Sequence, residues 1–198
     1  MSNATGAAPH RAQRVDAQRN YERILAVAAT VVEEQGTDAS LRDIARRAGI
    51  GLGTLYRHFP TRDALLETLL RERFSRLAAR ADELQTGHPA DEALTVWLRE
   101  FITGATAYRG LAASLMATLG DPGSPLYASC KAMREAVAAL LRKGQEAGHL
   151  RPDVDGTDIF ALINAVGWIA EQAPSIAARR DHLFALVMDG LTTRPSYG

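Results

Sequence analysis

Between residues 51 and 62 the chain gathers hydrogen-bond donors at helical spacing. After Gly51-x-Gly53, the side chains of Thr54, Tyr56, Arg57 and His58 leave an apolar face formed by Leu52, Leu55 and Phe59. Hydroxyl, phenol, guanidinium and imidazole groups in such a row suit phosphate oxygens and base edges. The two glycines just before them let the backbone come close to a surface that a side chain would hold away. Other residue sets fit their chemistries less well. Gly51-x-Gly53 lacks the third glycine, the preceding strand and the Gly-Lys-Ser/Thr of a nucleotide-phosphate loop. Glu146-x-x-His149 has the spacing of a di-iron ligand pair, but a second such motif and two further inward glutamates are missing, and Gly148 between them reads as a helix end. Cys130 shares an apolar helix face with Met133 and Val137, with no histidine nearby in sequence to activate it, and reads as a small buried hydrophobe. The 5 His show no zinc spacing. No metal and no cofactor is expected, and the chain is not expected to be an enzyme.

A row of donors discriminates only if a rigid support presents it. Upstream, Tyr21, Ile24, Leu25, Ala28, Val31 and Val32 recur at the 3.6-residue period and predict one amphipathic helix ending at Gly36. Ser40 is placed to cap a short second helix that turns Leu41, Ile44, Ala45 and Ala48 inward, with Gly49 as its left-handed stop. The donor row forms a third short helix, stopped by Pro60. Three helices with the tight turn Ala48-Gly49-Ile50-Gly51 are what a helix-turn-helix requires: two pack as a support, and the third is offered to a groove wide enough for one helix. Thr61 then caps a long helix carrying Leu65, Leu66, Leu69, Leu70, Leu77 and Leu84, broken by Gly87 and Pro89. Further helices are predicted over 90–107, 111–119, 125–147, 156–172 and 176–192. No segment alternates with period two, so no sheet is expected. The expected fold is all-α, with about nine helices: a disordered lead (1–15), a three-helix helix-turn-helix domain (16–60) and a helical ligand-binding and dimerisation domain (61–198).

Composition is consistent with this. The 198 residues, 46% hydrophobic with one cysteine, can bury a core without a disulfide. No apolar run reaches the roughly 18 residues of a membrane span, so a cytoplasmic protein with no membrane partner is expected. Net charge is zero, yet residues 11–62 hold nine Arg against six acids, whereas 91–198 hold ten basic and twelve acidic residues. The cationic part is the part that carries the donor row. Arg11, Arg14 and Arg19 could add a flexible arm on the phosphate backbone or minor groove, or form a charged tail with no specific role.

Ser40-Leu41-Arg42-Asp43-Ile44-Ala45, Ala48-Gly49 and Gly53-Thr54-Leu55-Tyr56-Arg57-His58-Phe59-Pro60-Thr61-Arg62-Asp63-Ala64-Leu65 closely resemble the N-terminal domain of TetR-family transcriptional regulators, over roughly residues 18–70. The stretch 124–130, with Arg151-Pro152-Asp153-Val154 and Trp168 to Pro174, resembles the regulatory domain of one TetR subgroup. The resemblance implies that Arg42 reaches a base edge from the second helix. It also implies that Gly53, Thr54 and Arg57 meet the major groove, and that Tyr56, His58 and Arg62 hold phosphates. With Ser40 these form the candidate DNA-binding set. The sequence leaves open whether Arg42 pairs with Asp43 instead. Leu52 departs from the polar residue some members carry and suits a thymine methyl.

One such head contacts few base pairs, so useful affinity on double-stranded operator DNA needs two, held about one helical turn or a multiple apart. A homodimer seam is therefore expected on the last two helices, at Ile159, Leu162, Ile163, Val166 and Ile169 on one and Leu183, Leu186, Val187 and Leu191 on the other, with Phe160, Phe184 and Met188 making more than one face apolar. Between head and seam lie Trp97, Phe101, Tyr108, Met116, Tyr127, Cys130, Met133 and Trp168. This set fits either plain core or the lining of a small-molecule effector site, and the resemblance implies that such a site exists. The expected function is a homodimeric repressor released from its operator by an effector. The alternative is a helical ligand-binding protein or enzyme whose first three helices merely pack.

Overall fold

The computed structural model describes the backbone of residues 7–172 and 174–193, with side chains from residue 16 onward except at 173 and 174. Among the described residues ten helices follow one another: α1 (Ala7–Gln35), α2 (Leu41–Arg47), α3 (Leu52–His58), α4 (Arg62–Gly87), α5 (Ala90–Ala105), α6 (Leu111–Ala117), α7 (Tyr127–Glu146), α8 (Gly156–Gln172), α9 (Pro174–Ala177) and α10 (Arg180–Leu191). Among the described residues the only extended pairing is an isolated antiparallel bridge, Leu150 to Thr192. The helix beyond the expected nine is α9, a single turn after the break at Pro174; proline suits a first helical position because its missing N–H would go unbonded there anyway.

The lead differs from expectation. Residues from Ala7 onward are helical, so the expected disordered segment 1–15 is, in its described part, an extension of α1. Once packing fixes the middle of α1, good helix formers such as Ala7 and Ala8 propagate it backward, and Pro9 falls in the first turn, where it breaks no helical hydrogen bond. Residues 1–6 lie outside the described part.

Helix ends follow local chemistry. The Thr61 hydroxyl accepts from the Ala64 amide at 3.0 Å and caps α4. Ser40 sits at the N-cap of α2 with extended backbone, but its side chain makes no capping bond, contrary to expectation. Gly49 takes φ +63° in the α2–α3 turn, as the stop requires.

The head buries Ile24, Ala28, Val31, Ile44, Ala45, Leu55 and Phe59 at its centre. In the second half, α7 packs against α4, α5 and α8, and α10 closes on α8. The Trp97 indole N–H donates to the Leu77 carbonyl at 2.7 Å, fixing α5 against α4. Hydrogen bonds at the end of α1 join the halves. Thr37, just past α1, donates its amide to the Arg109 carbonyl at 2.8 Å, while the Arg109 guanidinium donates to the Gln35 carbonyl at 2.9 Å. Ser124 Oγ donates to the Asp63 carboxylate at 3.1 Å.

Candidate nucleic-acid interface

α3 carries Leu55 (0% exposed) on its inner side and runs into Phe59 (2%), so the opposite side must face outward. Tyr56 is 47% exposed, Gly53 and Arg57 are exposed, and Thr54 and His58 are half-buried. The Tyr21 ring, from α1, stacks on Phe59 at 5.4 Å and meets the His58 ring edge-on at 6.1 Å. His58 is thus held by packing at the end of α3. Arg57 donates to the Thr54 hydroxyl at 2.9 Å, which pre-orients both groups along one edge of the helix. A Cβ added at Gly53 would meet nothing within 4 Å of the chain itself. Internal packing therefore does not demand this glycine.

On α2, Ile44 and Ala45 face inward and Arg42 outward. Asp43 does not hold Arg42. Its carboxylate takes Arg46, Arg47 (3.0 Å) and the Gln35 amide (3.0 Å). The Arg46 hydrogen bond, followed by that of Gln35, holds the Asp43 carboxyl below the usual carboxylate range. Arg47 is further tied to Glu34 at 2.6 Å. Arg42 enters none of the ion pairs formed among the described residues. Arg62 is exposed at the first position of α4 and bonded to Asp38 at 2.9 Å, so contact with a phosphate must compete with that carboxylate. Ser40, with its uncommitted hydroxyl, stands exposed at the start of α2. Ser40, Arg42, Gly53, Thr54, Tyr56, Arg57, His58 and Arg62 thus lie at the N-cap of α2, on two short helices and on the first residue of the fourth, six of them exposed.

The expected effector set divides. Trp97, Phe101, Cys130 and Met133 are at most 2% exposed, with Trp97 stacked on Phe101 at 5.5 Å and Phe101 tilted against Phe160 at 5.6 Å. Burial pushes the Cys130 thiol up, against the opposing pull of a Thr118 hydrogen bond, so it stays protonated and unreactive. Met116 is partly buried. Tyr108 borders a cavity of about 50 Å³ with Ala29, Val32, Leu66, Leu69 and Leu70, at the meeting of α1 and α4. Tyr127 is half-buried under the Arg134 guanidinium, 5.3 Å from its ring. Trp168 does not belong inside at all: it is 47% exposed on the outer side of α8.

The expected seam is corrected in the same way. Ile159 and Ile163 are 0% exposed, Val166 6% and Leu191 3% within one protomer, so they have almost no surface left to bury against another. The outward apolar residues are Leu162, Trp168 and Ile169 on α8 and Leu186 on α10, flanked by half-buried Leu183 and Val187. Sequence reasoning missed Arg134 and Asn164. An amide in an otherwise apolar stripe of α8 was the available signal for Asn164, whereas nothing local marks Arg134.

Two family models match the chain: "Bacterial regulatory proteins, tetR family" over residues 24–69 and "Transcriptional regulator SbtR-like, C-terminal domain" over residues 89–193. Among solved structures, the TetR transcriptional regulator SCO0520 from Streptomyces coelicolor is 39% identical, covering 88% of this chain and 99% of that one, with TM-score 0.59. The transcriptional repressor KstR2 of Mycobacterium tuberculosis is 29% identical over 168 residues, 79% of this chain and 83% of that protein. The transcriptional regulator UidR of Escherichia coli is 28% identical over 146 residues, 72% and 74% of the two chains. The helix-turn-helix head, the all-helical second half and these matches agree: the chain belongs to the TetR family of DNA-binding transcriptional regulators.

Proposed function

We propose that this protein is a homodimeric repressor whose two heads grip consecutive grooves of an operator and are released by a small-molecule effector. One observation carries the DNA contact: a buried inner face fixes α3 while Gly53, Thr54, Tyr56 and Arg57 stand outward beside Arg42, which no carboxylate neutralises among the described residues. In this reading Arg42 and Arg57 read bases, with Gly53 and Thr54 allowing close approach. Ser40, Tyr56, His58 and Arg62 bind phosphates, Arg62 with help from the N-terminal dipole of α4. The repressor sign follows the repressor relative above. Pairing of two copies is supported by the large apolar side chains left exposed on the adjoining helices α8 and α10, Leu162, Trp168, Ile169 and Leu186. That face keeps Leu162, Ile169, Leu183, Leu186 and Val187 of the seam expected from sequence, drops the buried Ile159, Ile163, Val166 and Leu191, and adds Trp168.

The test is protection of DNA upstream of the protein's own gene, with affinity measured against salt. About three ion pairs per protomer release about six counterions from a dimer, so log K is expected to fall with log salt at a slope near −5. Undetectable or salt-independent association with that DNA would overturn the reading.

A further inference from the structure

Four side-chain atoms lie buried without a hydrogen-bond partner among the described residues: Arg134 Nη1, Asn164 Oδ1, Glu171 Oε1 and Arg180 Nε. Orphans of this kind are uncommon in folded proteins and call for an explanation. Two of them, Asn164 and Glu171, lie on one face of α8, and a third, Arg134, lies over a ring of that face. Residues 160, 164, 167 and 171 recur at i+4, i+3 and i+4, so they share a face of α8. The neighbours show which way it looks: Phe160 meets Phe101 of α5, and a Cβ at Gly167 would touch Thr106 and Ala112. Glu171 Oε2 accepts from the Gly110 amide at 2.8 Å. Asn164 on that face is 0% exposed; its amide nitrogen donates to the Phe160 carbonyl at 2.8 Å, which leaves Oδ1 unused. Arg134, on α7, lies over the same Phe160 ring at 5.6 Å and over Tyr127 at 5.3 Å.

The Arg134 guanidinium enters none of the ion pairs formed among the described residues, so a half-buried positive charge stands between two aromatic rings without a counter-ion. Ring faces offset part of that charge but supply no acceptor for Nη1. A few residues along the same face lies an acceptor with no donor. Donor, aromatic wall and acceptor together describe the complement of a molecule with an anionic head and an apolar body that carries a hydroxyl or N–H.

We propose that the inner face of α8, from Arg134 past Phe160 to Asn164, binds an anionic amphiphile. Its carboxylate or phosphate accepts from Arg134 Nη1, its body lies against Phe160 and Phe101, and a donor on the body meets Asn164 Oδ1. The proposal rests on the effector-released repressor reading and names the chemical class of the effector. Because Phe101 and Phe160 pack at 5.6 Å between α5 and α8, insertion of the body parts those helices. The movement passes down α8 to Glu171, which holds Gly110, and so to Arg109, which holds the end of α1.

The experiment uses the intact protein and defined probes. These are straight-chain carboxylates from hexanoate to palmitate, the matching alkyl phosphates, and the matching alcohols and alkylammonium ions, each scored by the rise in Tm and by release of the protected promoter DNA. Carboxylates or phosphates are expected to bind at least about tenfold more tightly than alcohols or ammonium ions of equal length, and the two anionic series tell which head is used. Arg134→Met should abolish that discrimination and Arg134→Lys keep part of it; if the methionine variant does not fold, the lysine variant and Arg134→Gln carry the comparison. Hydroxydecanoates with the hydroxyl at successive carbons should include one that outbinds decanoate, an advantage that Asn164→Leu removes. Equal binding of alcohols and anions, binding by no series, or discrimination that survives loss of the Arg134 charge would each overturn the proposal. Promoter protection measured without any probe keeps the outcomes apart: its absence sinks the repressor reading, whereas its presence alongside any of those failures sinks only this site.

Discussion

At the scale of single residues, the DNA edge is set by what is missing as much as by what is present. A methyl at Gly53 meets nothing inside the protein, so Gly53→Ala is expected to raise stability by about 0.5 kcal/mol through helix propensity. With Gly53 against the duplex as proposed, the same methyl would intrude there, and operator affinity should fall roughly tenfold or more. Opposite signs in a thermal melt and a gel-shift titration identify a residue kept for its partner. Arg42 and Tyr56 separate two kinds of contact. Arg42→Ala should relax preference at one or two base pairs at a cost of about 1–3 kcal/mol, while Tyr56→Phe should weaken binding evenly across sequences. Binding to a panel of singly substituted operators distinguishes them. Because His58 packs on Tyr21, an alanine there would mix lost stability with lost contact, which makes Tyr56 the cleaner probe.

At the scale of elements, α2 is held against α1 by a charge cluster and α8 presents two unlike faces. Asp43 ties Arg46, Arg47 and Gln35 together, and its carboxyl titrates below the ordinary value of 3.8. A depressed folded value means stabilisation that is present above the unfolded value and lost as pH falls through the folded one. Asp43→Asn should therefore melt below wild type at neutral pH, with the gap closing as pH drops below about 4; a gap that persists in acid would assign the effect to something other than ionisation. On α8 and α10, Leu186→Glu places a charge on the exposed apolar face and should yield folded monomers by sedimentation, with operator affinity reduced about a hundredfold or more. Ile163→Glu, next to Leu162 in the chain but 0% exposed, buries a charge and should unfold the protomer instead. If Leu186→Glu stays dimeric, the seam lies elsewhere.

At the scale of the whole molecule, the head and the regulatory half meet at a clasp between the end of α1 and the loop before α6. Gly36 (φ +85°) would bring a Cβ to 2.5 Å from the Arg109 carbonyl oxygen, so backbone approaches backbone there as closely as chemistry allows. The Thr37 hydroxyl lies 3.4 Å from the Arg109 carbonyl and accepts from Ser114 Oγ at 3.3 Å. Thr37→Val keeps the shape and the backbone bond but removes both hydroxyl contacts. About 1 kcal/mol of stability should go with them. Operator affinity should also weaken, by roughly 0.5–2 kcal/mol, with an unchanged salt slope, because no phosphate contact is touched. A changed slope would mean that Thr37 acts at the DNA rather than through head orientation.

The head was legible from the chain alone because its determinants are local. Period, cap and stop signals from Tyr21 to Thr61 lie within one stretch, and the inward Leu55 and Phe59 force Tyr56 and Arg57 outward whatever the rest of the molecule does. The pairing of charges was not legible: Asp43 had Arg42, Arg46 and Arg47 within reach along the sequence, and only the fold set Arg42 apart. The same holds for α8, where Ile159, Phe160, Leu162, Ile163, Val166 and Ile169 leave no polar face to mark the outside. A helix apolar all round can turn any side to its own core. Which side it turned depended on where α5, α6, α7 and α10 came to rest, a choice that buried Asn164, set the Phe160 ring under Arg134 and left Trp168 in the open.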